Sequence, residues 1–236
     1  MSQYARMSEK PSAGLPKPPP ERSARDYFPV RKSLASLERA AKDCRGCDLY
    51  ANATQTVFGR GPKRARVVLV GEQPGNDEDL AGEPFVGPAG RLLDEALQAA
   101  GISRADAYVT NVVKHFKWQA DTRKHGDAGA PRGKRRIHAK PNAREIAACS
   151  PWLGEELAQL KPVVLVCLGA TAAQALFGRS FKLLQNRGRV LPTSLAEHAV
   201  ATVHPSSVLR APDSESRAQA RRDLIKDLKV VAGLLG

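Results

Sequence analysis
Acidic residues are under-represented in this chain: 24 Asp and Glu stand against 37 Lys and Arg, leaving a formal net charge of +13 at pH 7. A balance this basic points to a polyanionic partner, of which nucleic acid is the commonest, unless the charge belongs to an unpartnered basic tail. Long apolar runs are missing. Nothing approaches the ~18 consecutive apolar residues of a membrane-spanning helix, and the opening MSQYARMSEK has no apolar core of a secretory signal. No membrane partner is therefore expected, and the expected location is cytoplasmic. Cysteine is scarce, with four residues; in that compartment thiols or a metal site come before disulfides. No internal repeat is visible. What remains is 236 residues, 42% of them hydrophobic, enough for one large domain or two small ones with a real core.

Proline marks the first boundary. Residues 1–33 hold six of the 17 prolines and no apolar period, which predicts a disordered basic, Pro-rich tail. Residues 34–236 read as a single domain. The apolar runs ARVVLV, DAYVTNVV, PVVLVCLGA and HAVATVHP predict four strands. Around them SLASLERAAKDC, GPAGRLLDEALQAAG, NAREIAACSPWLGEELAQL, TAAQALF and SESRAQARRDLIKDLKVVAGLL carry helical patterns, the third with Asn142 as N-cap. Buried strands alternating with helices predict an α/β fold of three layers, α/β/α, around a central four-stranded parallel sheet. The stretch from Lys114 to Lys140 holds nine Lys or Arg against two Asp and reads as polar and loop-like, a basic loop set at 116–140.

Sheets of this kind take ligands at the carboxyl ends of their strands. Three polar motifs fall there: GEQPG (71–75), the TN pair ending in Asn111, and HPSS (204–207). One alone would be turn chemistry; three on one edge are better explained as a site. Glu72, beside Gln73, is either an exposed turn carboxylate or one held near a developing positive charge or a water. The Asn111 amide can donate to a carbonyl and accept from the adjacent ring N–H, a pair that fits uracil and is wrong for cytosine. Phe85 is a core aromatic or a stacking platform. His204 offers a donor to a carbonyl oxygen, Ser206 and Ser207 offer hydroxyls to phosphate, and Leu209 or Arg210 offers a wedge into a duplex. GKRRIH (133–138) has two readings as well. Lys134, Arg135 and Arg136 form a solvated loop that touches phosphate, or they prepare His138 for chemistry.

Taken together, GEQPG…EPFVGPAGRLLDEAL, YVTNVVK, LGATAAQAL and HPSSVLR resemble the uracil-DNA glycosylase superfamily, in its iron–sulfur branch known as family 4, over roughly residues 35 to 235. KRRIH after NVVKHF is similar to the UdgX subgroup, whose members excise uracil and then stay covalently attached to the abasic site. The resemblance implies uracil-containing DNA and uracil as partners, a monomer, nucleoid association when DNA is bound, and single strands as the preferred substrate. It implies that Glu72 assists at the sugar, that Phe85 stacks on uracil, that Gln73, Asn111 and His204 read its edge, and that His138 attaches to C1′. Lys134, Arg135 and Arg136 would grip phosphate and, as nearby cations, disfavour the imidazolium form of His138. Two other readings stay open: a turnover glycosylase in which His138 only contacts DNA, and a non-catalytic nucleic-acid-binding module. Joint retention of Glu72, Asn111 and His204 argues against the second.

CRGC, with Cys44 and Cys47, is a strong ligand pair by spacing. Simple counting adds Cys149 and Cys167, but Cys167 lies within VVLVCLGA, where a cysteine is simply a small buried residue. The resemblance implies a third ligand at the end of the second strand, where this chain has His115, and a fourth at Cys149. Three thiolates and an imidazole suit structural zinc, and all-cysteine ligation is the usual cluster pattern. The resemblance nonetheless favours a [4Fe–4S] cluster in a structural role.

Overall fold
The computed structural model describes residues 22–121 and 136–236. In chain order its elements are α1 (Leu34–Ala41), β1 (Val67–Gly71), α2 (Asn76–Ala81), α3 (Pro88–Ala99), β2 (Ala107–Asn111), β3 (Trp118–Ala120), β4 (Arg136–His138), α4 (Ala143–Leu160), β5 (Val164–Leu168), α5 (Ala170–Phe177), α6 (Leu183–Asn186), β6 (Val190–Leu191), β7 (His198–Thr202), α7 (Pro205–Leu209) and α8 (Ser214–Leu235), with three short 3-10 turns.

The four expected strands are present and parallel, in the order β2-β1-β5-β7. Every residue of β1, β2 and β5 is buried, because helices cover both faces and leave no solvent side for polar alternation. Side chains of alternate residues divide between two cores. Val68, Val70, Leu165 and Cys167 join Leu37, Trp152 and Leu176 on one face; Val67, Leu69, Val164 and Val166 join Leu93, Leu97 and Leu228 on the other. This is the expected three-layer α/β/α arrangement. The chain runs from β1 outward to β2, then back past β1 to β5 and on to β7. The order reverses between β1 and β5, and the crevice at that switch point is where such sheets hold ligands. Among the described residues no helix is long and apolar enough to cross a membrane.

Three expectations need correction. The sheet has a fifth member, β6, which pairs antiparallel with β7 through Val190↔Val200 and Leu191↔Ala199; two residues carry no readable period. Residues 22–33 do not behave as a tail. Ser23 caps a 3-10 turn over Ala24–Tyr27, Ala24 is fully buried, and the Phe28 ring meets Trp152 edge-on at 4.9 Å. Residues 1–21 lie outside the described residues. The basic loop is a two-stranded ribbon at its base, with Trp118 opposite His138 and Ala120 opposite Arg136; residues 122–135 lie outside the described residues.

Candidate active site
The ladder itself brings the first groups together. Gly71 ends β1 in register with Asn111 at the end of β2. A side chain on Gly71 would place its Cβ 2.3 Å from Asn111 Oδ1 and 2.8 Å from Phe85 Cζ, so only glycine lets the amide and the ring approach each other across the strand end. Phe85 is buried at left-handed φ (59°), a conformation that a bulky residue adopts only when its surroundings impose it. Gly90 in α3 makes the room, since a Cβ there would lie 1.8 Å from the Phe85 carbonyl oxygen. Asn111 is 3% exposed, and its Oδ1 is a buried acceptor with no hydrogen-bond donor among the described residues. Buried acceptors are rarely left so.

His204 stands across from this pair, its ring 6.0 Å from that of Phe85. Its Nδ1 accepts from the Ser206 N–H at 3.1 Å and lies 2.7 Å from Ser206 Oγ. With Nδ1 accepting, the neutral ring carries its proton on Nε2. Burial pushes the His204 pKa down to about 4, so the ring is a neutral donor at physiological pH. The Ser207 hydroxyl donates to the His204 carbonyl at 2.7 Å. Both serines expected on phosphate are thus engaged in fixing His204. Leu209 is 38% exposed and Arg210 is exposed.

Glu72 follows β1, at the switch point. Its Oε1 lies 3.3 Å from His138 Nε2, and its Oε2 accepts from the Thr171 hydroxyl. Burial works against ionisation here, but hydrogen bonds from His138 and Thr171 and the charges of His138 and Lys140 outweigh it, so the carboxyl is held below the usual range. The β3–β4 ribbon delivers His138 to this carboxylate. Gln73 pins its base: Gln73 Oε1 accepts from the Lys117 N–H, and Nε2 donates to the carbonyls of Lys117 and Ala139, each at 3.1 Å.

Arg136, a phosphate contact and a cation tuning His138 by the sequence reading, is paired inside the protein: Nη1 lies 2.6 Å from Asp79 Oδ2 and Nε donates to Asn76 Oδ1 at 2.9 Å, while the guanidinium stacks over Phe116 and Trp118. Asp79 is fully buried, and a buried carboxylate without a partner is costly. Two other cations of the stretch are also paired internally, Lys114 with fully buried Glu156 and Lys117 with Glu145. Among its described cations Lys140 alone is exposed. Lys134 and Arg135 lie outside the described residues.

Cys44 and Cys47 follow α1 and belong to the same core cluster as Cys149 of α4, and charge on either opposes ionisation of Cys149. Cys44 Sγ accepts from Trp152 Nε1 at 3.3 Å and Cys149 Sγ from the Lys114 N–H at 3.2 Å. Burial pushes the Cys47 thiol up to about 11 and the other two upward as well, so their ionisation calls for a cation or metal among them. Thiolates are the donor type that zinc and iron–sulfur centres take, so the three have the chemistry of metal ligands. His115 fits less well. Burial pushes it down to about 4, which keeps it neutral as a ligand must be, but its Nε2 lies 2.9 Å from Thr56 Oγ1. Among the described residues no group of three or more His, Cys, Asp or Glu is arranged to hold a metal ion. Cys167 is fully buried in the sheet core, as VVLVCLGA suggests.

Three site residues escape sequence reasoning. Thr171, just inside α5, holds Glu72. Glu78 accepts from the Gly75 N–H at 3.0 Å and the Gly87 N–H at 2.8 Å, tying the Glu72 loop to the Phe85 loop; its signal is a glutamate three residues after the helix-starting Gly75, the half of a capping box that reaches back to the N-cap N–H. Lys114 Nζ donates to the Asn111 carbonyl at 2.9 Å from within its pair with Glu156, and no local pattern announces a partner 42 residues away.

The family described as the uracil DNA glycosylase superfamily matches residues 58–229. A type-4 uracil-DNA glycosylase of Archaeoglobus fulgidus is 36% identical over 212 residues, which are 87% of this chain and 94% of that protein. Proteins of the same description from Thermotoga maritima and Pyrobaculum aerophilum are also 36% identical, covering 84% and 81% of this chain and 94% and 91% of theirs.

Proposed function
The chain belongs to the uracil DNA glycosylase superfamily, and from that premise we propose that it cleaves the N-glycosidic bond of deoxyuridine in DNA and releases uracil. The observation that carries this reading is the orphaned Asn111 Oδ1, buried beside a neutral imidazole donor. It would accept from uracil N3–H while its amide N–H donates to the neighbouring carbonyl, and cytosine offers no such pair. Phe85 would stack on the base. A duplex hides C1′, so the nucleotide must be flipped or taken from a single strand. As the bond breaks, its electron pair leaves with uracil, the His204 Nε2–H stabilises the developing oxyanion, and Glu72 offsets positive charge on the sugar.

The finer reading is covalent capture by His138. It is supported by the position of the ring, 3.3 Å from the carboxylate placed at the sugar. A ring nitrogen lone pair would form the bond to C1′ as the glycosidic pair leaves with uracil, the other nitrogen would pass its proton to the Glu72 carboxylate 3.3 Å away or to the uracil anion, and the product would be a stable sugar–imidazole adduct. Ordinary turnover, with water in place of His138, fits the same geometry. Single-stranded uracil-DNA separates the two. Capture gives free uracil together with a protein–DNA band that survives SDS and heat, maps to His138 by peptide mass, and vanishes in His138→Ser while uracil release persists. Turnover gives uracil and no band, and absence of both would end the glycosylase reading.

For the cofactor, the resemblance and the three thiols gathered in one core cluster support a [4Fe–4S] cluster that Cys44, Cys47 and Cys149 would hold with His115 as fourth ligand. Its role would be structural, joining α1 and α4 to the base of the ribbon. Purified protein should be brown and carry iron and sulfide; colourless protein with one zinc would select the alternative.

A further inference from the structure
We propose that Thr171 is a positioning residue for excision, which fixes one oxygen of Glu72 so that the other faces the reacting sugar. The inference rests on the reading of Glu72 as the carboxylate at the sugar. Thr171 is 6% exposed, and its hydroxyl donates to Glu72 Oε2. It reaches that point because β5 ends in a turn through Gly169 at φ +92°, where a Cβ would lie 3.1 Å from His204 Cβ. The first turn of α5 is therefore set between His204 and Glu72, on the β5 side of the switch point. Glu72 Oε1 is left toward His138 Nε2, 3.3 Å away.

A glutamate carboxylate rotates readily about its last bond, and that torsion is broad. Two groups hold it here, and they differ in what the reaction asks of them. If His138 attacks C1′, its ring must leave Glu72 for the sugar; if water attacks, the nucleotide must enter between them. Thr171 is buried on the far side and can hold Oε2 throughout. Among the described residues, the charged and titratable groups facing Glu72 are His138 on β4, Lys140 just after it, and His204 at the start of α7. Thr171 is the neutral donor among them, so its removal changes aim and hydrogen bonding without changing charge.

Thr171→Val keeps the branched shape and removes the hydroxyl; Thr171→Ser keeps the hydroxyl and removes the methyl. Two measurements are made on the full-length protein. In the first, the carboxyl carbons of Glu are 13C-labelled and titrated without DNA, the Glu72 signal being assigned with Glu72→Gln. The Glu72 midpoint should move to higher pH in Thr171→Val and stay near wild type in Thr171→Ser. In the second, single-turnover uracil release at neutral pH should fall about tenfold in Thr171→Val, as loss of a hydrogen bond to a charged group permits, with DNA binding unchanged, and should recover in Thr171→Ser. An unmoved midpoint in a folded Thr171→Val, or equal slowing in both variants, would overturn the proposal. If wild-type protein released no uracil, the role of Glu72 would fail by itself, and the midpoint would still decide whether Thr171 holds it.

Discussion

The strand ends and the β3–β4 ribbon meet at Glu72, yet they are built in opposite ways. The strand ends present neutral, buried or half-buried groups. Asn111 is fixed by the parallel ladder, Phe85 by the loop that Gly90 admits, and His204 by the Ser206 N–H. The ribbon presents charge and exposure. The His138 side chain is 51% exposed, and the ribbon is held from below by the Gln73 amide and the Arg136–Asp79 pair. Groups that read a base must be preorganised before it arrives, so they sit on rigid elements. A group that changes partner during a reaction needs an arm anchored at its base and free at its tip. Positive charge in the sequence is therefore a poor guide to phosphate contact here, because Arg136 belongs to the anchor.

The sharpest break of this contrast is at Asn111. Asn111→Ala removes both halves of the edge reading and leaves the ladder intact. Single-turnover uracil release should fall about 10²–10³-fold, the usual consequence of deleting one preorganised donor, with little change in melting temperature. Near-wild-type release would take Asn111 out of the site and the strand-end region out of base reading.

Arg136→Ala tests the other side, with a smaller effect of a different kind. It removes the counter-charge of the buried Asp79 carboxylate, which keeps the Thr54 N–H at 2.9 Å, and we expect a loss of about 2 kcal/mol in stability, below the full value for a buried pair because the Arg136 side chain is 16% exposed. A phosphate ligand would instead leave stability alone and reduce the salt slope of DNA binding by about one unit. Urea unfolding and a binding-against-salt series on the same variant distinguish the two. An unchanged midpoint with a shallower slope would return Arg136 to the DNA.

The same contrast explains what could be read in advance. Strands β1, β2, β5 and β7 are legible because full burial writes them as continuous apolar runs, and their ends are legible because Gly71, Asn111 and His204 interrupt those runs with polar chemistry. The internal pairing of Arg136 is not legible, because Asp79 is 57 residues away and nothing in KRRIH encodes a partner at that distance. Thr171 looked like an ordinary helix residue in GATAAQAL, since only the folded sheet sets β5 beside β1. The ordered turn at Ala24–Tyr27 is similar: it rests on one buried alanine and the Phe28–Trp152 contact, too little for a periodic signal.

The mildest test uses pH. Burial pushes His204 down to about 4 in the folded protein, against about 6.5 for an unperturbed histidine. Below pH 6.5 the unfolded chain therefore takes up a proton that the folded chain refuses. Stability rises with pH wherever the unfolded state binds more protons, so the contribution of His204 is complete above about pH 6.5 and is lost as pH falls toward 4. Protonation would also place a hydrogen on Nδ1 against the Ser206 N–H, 3.1 Å away, and so displace the ring from the base. Melting temperature followed from pH 7 to 4 should decline less steeply in His204→Asn than in wild type, because the variant has no proton to refuse. Superimposable curves would mean that His204 is free to ionise in the folded state, and the strand ends would then share the charged character of the ribbon.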